Sequence, residues 1–175
     1  MKLAILGYSG SGKSTLARML SDEYHLPLLH LDQAQFNANW ELKERTEAKQ
    51  LVREFMTKES DWVIDGNYSE FYQEERLEEA DVILYFKFSS WRCLVRVLKR
   101  YRLNRGHARK DVAPGCIESL NLPFIWWVLF EGRNPSKRRY YKKTLLPYEN
   151  KLIVFNRPSD VTRYLDSQKD KFVLK

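Results

Sequence analysis

The 175-residue sequence has little cysteine, no long apolar run and no stretch of low complexity. Its two cysteines, Cys93 and Cys116, form no Cys-x-x-Cys spacing and have no histidine cluster near them. This argues against a disulfide framework or a zinc site and favours buried or incidental thiols in a reducing compartment. The longest apolar run, residues 124–130, is far too short to cross a bilayer, so we expect no membrane partner.

Internal repeats and domain-separating linkers are also missing. The length suits one domain with a sizeable core, and contents of 43% apolar and 30% charged residues are typical of a folded soluble protein. The first apolar strand begins at Lys2, which predicts that no signal peptide precedes it. We therefore expect a single cytoplasmic domain over residues 1–175.

Acidic residues are scarce in one contiguous third of the chain. Residues 87–143 hold fifteen lysines and arginines but only three acids, Asp111, Glu118 and Glu131, a local balance of +12. The remaining residues carry a balance of −5, which leaves the whole chain at +7. A basic excess so concentrated predicts an anionic partner, either the phosphates of a nucleotide or the backbone of a nucleic acid.

The strongest motif lies at the start of the chain. A short apolar strand is followed by Gly-x4-Gly-Lys-Ser and an amphipathic helix, the context expected of a phosphate loop, here residues 7–14. Backbone N–H groups of such a loop point inward, and the helix N-terminus adds partial positive charge. Lys13 is placed to reach the β- and γ-phosphates, and the Ser14 hydroxyl to bind Mg²⁺. We expect ATP to be held by Gly7, Ser9, Gly10, Ser11, Gly12, Lys13, Ser14 and Thr15.

Apolar patterns predict alternating strands and helices along the rest of the chain. The expected strands are 2–6, 28–31, 62–65, 81–86 and 151–155. The expected helices are 13–24, 42–58, 90–103, 117–130, 136–145 and 159–168, with a further acidic helix that Ser69 could cap. Residues 33–40 are expected to form a loop, and residues 104–115 a mobile loop. The alternation predicts an α/β fold on a parallel sheet with right-handed crossovers.

Two of the predicted strands end in aspartate. Asp32 follows the second strand and Asp65 closes the third, and ligands of open α/β sheets bind outside the carboxyl ends of strands. A carboxylate there could hold Mg²⁺ or its waters, accept a proton from an attacking hydroxyl, or only open a turn. We favour a functional role for both aspartates, but the sequence does not show which one binds the metal and which one accepts the proton. His30 and His107 have no sequence partners that would suggest a role.

Three arginines recur at four-residue spacing in the helix predicted at 90–103: Arg92, Arg96 and Arg100. Like charges so spaced destabilise a helix by about 0.2–0.5 kcal/mol per pair. No acid of this helix offsets them, whereas a bound polyphosphate would, because arginine makes forked hydrogen bonds to phosphate oxygens. A solvated basic face is the alternative. The side expected to pack carries Leu94, Val95, Leu98 and Tyr101.

Further cations follow and suit a lid, at about residues 104–140, that closes over the phosphates. They are Arg105, Arg109, Lys110, Arg133, Lys137, Arg138 and Arg139. Two aromatic pairs lie among them, Trp126 with Trp127 and Tyr140 with Tyr141. We expect these rings to pack in the core or an interface rather than to stack on bases.

Taken together, these segments resemble the adenylate-kinase-like branch of P-loop kinases, and most closely the small bacterial DNA topology modulation proteins. The likeness is carried by residues 7–15, 31–32, 40, 62–69, 80–84, 91–101 and 113–116. It implies a three-layer P-loop NTPase fold with a five-stranded parallel sheet in the order 2-3-1-4-5 and a basic helical lid. It also implies that Arg96 and Arg100 contact the ATP donor, and that Arg157, in the loop after the last strand, lies near the adenine.

One segment departs from that family. Adenylate kinases carry Asp-Gly-Phe-Pro-Arg where this chain has Asp-Gly-Asn-Tyr-Ser at residues 65–69, so the acceptor-site arginine is missing. The leading hypothesis is an ATP- and Mg²⁺-dependent phosphotransferase that acts on a nucleotide or another small acceptor. Its catalytic residues would be Lys13, Asp32, Arg96 and Arg100, and its metal ligands Ser14, Asp32 and Asp65. The alternative is a nucleotide-regulated protein that binds DNA through residues 87–143 and affects DNA topology.

Overall fold

The computed structural model describes residues 1–107, 109 and 111–172 of the chain, with side chains through residue 168. Within these residues five strands form one sheet: β1 (Lys2–Gly7), β2 (Leu28–His30), β3 (Trp62–Asp65), β4 (Val82–Phe86) and β5 (Leu152–Phe155). Neighbouring strands are parallel and lie in the order β2-β3-β1-β4-β5, as predicted.

Helices connect and flank the strands. In the described part of the chain they are α1 (Lys13–Tyr24), α2 (Leu31–Gln35), α3 (Arg45–Lys58), α4 (Gln73–Glu79), α5 (Ser90–Asn104), α6 (Leu122–Leu129), α7 (Pro135–Leu145) and α8 (Pro158–Phe172). Short 3₁₀ turns lie at Ala38–Trp40, Glu131–Arg133 and Leu146–Lys151. Among the described helices, none combines the length and the apolar character that crossing a membrane would require.

Both faces of the sheet are covered, as the residues of β1 illustrate. Leu3 and Ile5 pack in one core, with α1, α5, α6 and α8, while Ala4 and Leu6 pack in a second core, with α3 and α4. None of the four is more than 1% exposed. A strand covered on both sides has no solvent face, which is why this segment is continuously apolar rather than alternating. The result is a three-layer α/β fold.

Several predicted boundaries are wrong for local reasons. The helix predicted at 117–130 begins only at Leu122, because the Asn121 side chain caps it by accepting from the Phe124 N–H at 2.8 Å, and Pro123 fits only the first turn. Ser69 does not cap α4, which begins after Tyr72. The predicted loop 33–40 contains the end of α2 and a 3₁₀ turn.

The packing side of α5 also differs from the prediction. Its buried residues are Cys93, Leu94 and Val97. Val95 and Leu98, which we expected to pack, are 58% and 37% exposed. The phosphate loop explains the difference, because a Cβ on Gly10 would lie 2.6 Å from the Cys93 carbonyl oxygen and from a Val97 methyl. The two cysteines are buried and free, as expected.

Candidate active site

The phosphate loop joins β1 to α1 through backbone that only glycine adopts easily. Gly10 and Gly12 have φ angles of 75° and 100°. A Cβ on Gly12 would lie 2.5 Å from Nη2 of Arg96, so a side chain there would displace this guanidinium. Lys13 Nζ donates to the Tyr8 carbonyl at 3.3 Å, which folds the lysine back over the loop. The Ser11 hydroxyl is buried and finds no partner among the described residues.

Asn67 fixes the first residue of the loop. Its Oδ1 accepts from the Gly7 N–H at 2.9 Å, and its Nδ2 donates to the Gly7 carbonyl at 2.7 Å. The side-chain amide thereby supplies the two hydrogen bonds that a neighbouring strand would supply, just beyond the point where β3 ends. We assigned Asn67 no role from sequence, since the contact spans 60 residues of chain.

Arg133 supports the loop from beneath. We included it among the lid cations, but it is only 6% exposed. Its Nε donates to the Val128 carbonyl at 3.0 Å and its Nη1 to the Phe88 carbonyl at 2.6 Å. Its guanidinium carbon lies 4.0 Å from the ring centroid of Tyr8, a phosphate-loop residue. Arg133 is therefore a buried structural cation and has no freedom to close over a ligand.

The aromatic pairs divide between core and surface. Tyr141 packs edge-on against Tyr8, with ring centroids 5.9 Å apart, and Trp127 packs against the core that contains α1 and α5. Trp126 and Tyr140 are exposed instead. Core packing is thus confirmed for Tyr141 and Trp127, whereas packing of Trp126 and Tyr140 in an interface stays a prediction.

Asp65 lies buried at the carboxyl end of β3, 5% exposed. Its Oδ2 is 3.1 Å from Nδ1 of His30, which is its register partner on β2. Its Oδ1 is buried without a hydrogen-bond partner among the described residues. Leaving such an acceptor unsatisfied costs about 1–3 kcal/mol. An oxygen of this kind fits a ligand of Mg²⁺ or of a Mg²⁺-bound water.

We expected Asp32 directly after the second strand. It lies instead in α2, two residues beyond the end of β2. The Tyr68 hydroxyl donates to its Oδ1 at 2.7 Å. Burial, assisted by the nearby charge of Asp65, raises the pKa of Asp32, and the Tyr68 hydrogen bond and the charge of Lys13 only partly oppose this. A carboxylate whose pKa is raised, close to the phosphate-loop lysine, is suited to accept a proton.

The three arginines of α5 have different surroundings. Arg96 is exposed, with its guanidinium against Gly12 of the phosphate loop. Arg100 turns away from solvent, and its Nε and Nη2 both lie 2.8 Å from Oε1 of Glu118. A carboxylate from outside the helix therefore offsets the charge of Arg100 without a bound ligand. Glu118 lies outside the helix, so the sequence of α5 alone could not reveal it.

A shallow, open cleft lies next to Arg96. It has a volume of about 440 Å³ and is lined by Trp91, Arg92, Val95, Arg96 and Pro158. Arg157 precedes Pro158, but its Nε lies 3.2 Å from Oδ1 of Asp160, in the first turn of α8. Contact between Arg157 and an adenine therefore stays a prediction.

Residues 111–118 pack against the segment that follows α2, and the space between them and the carboxyl ends of β2 and β3 is called the crevice. Val112, Ala113 and Cys116 are buried against Phe36 and Trp40. Trp40 Nε1 donates to the Ile117 carbonyl at 2.8 Å, and the Cys116 thiol donates to the Asn37 carbonyl at 3.1 Å. Lys110, which we counted with the lid cations, lies outside the described residues.

A metal at this site would need oxygen atoms from a ligand. No cluster of three or more histidine, cysteine or carboxylate side chains that could hold a metal ion by itself occurs among the described residues. Mg²⁺ typically binds one or two carboxylates together with substrate phosphates. Ser14 at the start of α1, with the partnerless Oδ1 of Asp65, fits that pattern.

Comparisons with known proteins show the fold. No family model and no curated protein matches the sequence. A solved structure of deoxyadenosine kinase from M. mycoides with bound dATP is 17% identical, with 98% of this chain and 99% of that chain covered and a TM-score of 0.55. An uncharacterized protein from Eubacterium ventriosum ATCC 27560 is 14% identical, with 95% and 98% covered and a TM-score of 0.45.

The likeness to deoxyadenosine kinase, together with the sheet order, establishes the α/β P-loop NTPase fold for this chain. The resemblance to DNA topology modulation proteins has no support in these matches and stays a prediction.

Proposed function

We propose that this protein is a kinase that transfers the γ-phosphoryl group of ATP to a small acceptor. The observation that carries the proposal is the position of Arg96. Its guanidinium lies against Gly12 of the phosphate loop. A phosphate held by this loop would meet Lys13 from one side and Arg96 from the other. Cations placed where charge develops in the transition state are the main device of phosphoryl-transfer catalysis.

The donor would extend from the phosphate loop into the cleft beside it. Trp91 and Pro158 give that cleft apolar walls for a nucleobase, and Arg96 lies between the cleft and the loop. The fold shared with a deoxyadenosine kinase whose solved structure holds dATP supports a nucleotide as the ligand. When bound, Mg²⁺ would neutralise phosphate charge, with Ser14 and Asp65 as its protein ligands.

The acceptor would bind next to Asp32, under residues 111–118. As the acceptor oxygen forms its bond to the γ-phosphorus, the bond to the ADP oxygen breaks and the hydroxyl proton passes to the Asp32 carboxylate. Asp32 suits this role better than Asp65 because its pKa is raised, whereas Asp65 is held by His30. Residues 65–69 offer no arginine for an acceptor phosphate, so nucleosides and other hydroxyl compounds belong in the acceptor panel.

ATP consumption in the presence of Mg²⁺ and a panel of nucleosides, nucleotides and small hydroxylated metabolites tests the proposal. Lys13→Ala should abolish turnover while the circular dichroism spectrum stays native. Lys58→Ala removes an equally charged side chain that lies exposed on α3 and serves as the matched control. Turnover that survives in Lys13→Ala would refute the proposal.

A second candidate function rests on α7. Arg138, Arg139, Lys142 and Lys143 are exposed and make no ion pair with the described residues. We propose as the alternative that these cations bind the phosphate backbone of a nucleic acid, with nucleotide binding as the regulator. The salt dependence of duplex binding distinguishes this alternative from the kinase.

A further inference from the structure

Glu118 holds two arginines that come from separate parts of the chain. Its side chain is only 3% exposed. Oε1 accepts from Arg100 of α5 at 2.8 Å, and Oε2 accepts from Nε of Arg109 at 2.5 Å. A buried carboxylate shared by two guanidiniums fixes both heads, because moving either would leave a charge buried without its partner.

Asp111 continues this chain of contacts to α1. Its Oδ2 accepts from Nη1 of Arg109 at 2.5 Å, and its Oδ1 lies 3.3 Å from Nη1 of Arg18 on α1, the helix that begins at the loop. Three guanidiniums and two carboxylates leave one positive charge in excess. The network therefore stays cationic next to the site where a phosphate would bind.

Arg109 keeps one side of its fork available. Nε and Nη1 are held by the two carboxylates, and no hydrogen bond from Nη2 to any described residue is seen. Arg109 also lies close enough to Asp32 for its charge to lower the pKa of that carboxyl. Arg109 is thus near the proposed proton acceptor.

We infer that Glu118 and Asp111 are positioning residues that hold Arg109 ready to contact the transferring phosphoryl group. This inference rests on the proposed function. If the network were purely structural, it would stabilise residues 111–118 equally whether ADP or a transition-state mimic is bound. The positioning role instead requires that Glu118 matter more for the transition state than for bound ADP.

The test compares binding of ADP·Mg²⁺ with binding of ADP·Mg²⁺ plus fluoroaluminate, a mimic of the transferring group, by calorimetry. Glu118→Gln should leave ADP binding unchanged and weaken the fluoroaluminate complex by about 100-fold, the cost of a misplaced catalytic group. Glu131→Gln removes the same charge from an exposed position of the basic region and should change neither. Glu118→Asp, which keeps the charge, should recover part of the loss.

Asp111→Asn provides a second variant if Glu118→Gln does not fold. It too should weaken the fluoroaluminate complex and leave ADP binding unchanged. Equal losses of the ADP and fluoroaluminate complexes, or no loss of either, would overturn the inference. Absence of ADP binding by the unmodified protein would instead overturn the proposed function itself.

Discussion

The side chain of Asn67 donates to and accepts from one and the same residue, Gly7, and thereby fixes the backbone where the phosphate loop begins. The loop geometry therefore depends on an amide that lies beyond the motif itself.

Asn67→Asp keeps the acceptor for the Gly7 N–H but removes the donor for the Gly7 carbonyl. We expect the free energy of unfolding to fall by about 1–3 kcal/mol, the cost of an unsatisfied buried carbonyl. ATP affinity should fall as well, since the new carboxylate repels phosphate. Chemical denaturation and calorimetry measure the two effects. Asn150→Asp, at an exposed position, is the control, and equal behaviour of the two variants would contradict this role.

Gly12→Ala tests whether the position of Arg96 against the phosphate loop matters for ATP binding. The new methyl would occupy the place of the Arg96 guanidinium, and the φ angle of 100° adds backbone strain. ATP affinity should fall by roughly 100-fold. Gly106→Ala has a comparable strain, with φ at 79°, but its methyl would meet no atom within 4 Å. If both variants bind ATP equally well, the contact of Arg96 with the loop is irrelevant to binding.

Asp32→Asn should abolish turnover and yet stabilise the protein at neutral pH. Loss of a general base costs about 10²–10⁴-fold in rate. Because burial raises the pKa of Asp32, its charged form is less stable in the folded state than in the unfolded chain. That penalty is present at neutral pH and disappears below the ordinary aspartate pKa of about 3.9, where both states are protonated.

The stability difference between Asp32→Asn and the unmodified protein should therefore shrink as the pH falls from 7 towards 4. Denaturant titrations at several pH values give this difference directly. A variant that is less stable than the unmodified protein at pH 7 would show that the Tyr68 hydrogen bond, rather than burial of the charge, dominates.

Duplex DNA tests the alternative function. If α7 binds the backbone, binding should weaken steeply with salt, and Arg138→Ala with Arg139→Ala should reduce the logarithmic salt slope by about 0.9 per lost contact. Arg53→Ala with Lys58→Ala removes two cations from α3 as the control. No binding at low salt would eliminate the nucleic-acid candidate.

The sequence predicted the parts of the site that depend on local pattern. Strand β1, the phosphate loop and the start of α1 follow one another directly, so spacing alone places Lys13 and Ser14. The pairing of His30 with Asp65 depends on the register of β2 against β3. His30 has no partner nearby in the sequence, so no local pattern indicates this pair.

Other features depend on tertiary contacts that no local pattern records. Asn67 reaches Gly7 across 60 residues, and Glu118 reaches Arg100 across 18. The buried side of α5 was unpredictable for a related reason. Apolar residues occur on more than one side of this helix, and only the close approach of Gly10 decides which of them face inward.

The contact between Trp40 and Cys116 also bears on how the protein assembles. It joins positions 76 residues apart through a cluster of three buried residues that is separate from both cores of the sheet. Closing so long a loop costs entropy, and so small a cluster returns little free energy. Native-state hydrogen exchange should therefore find local unfolding of residues 111–118 at lower free energy than unfolding of the sheet. The crevice would open and close while the phosphate loop stays intact.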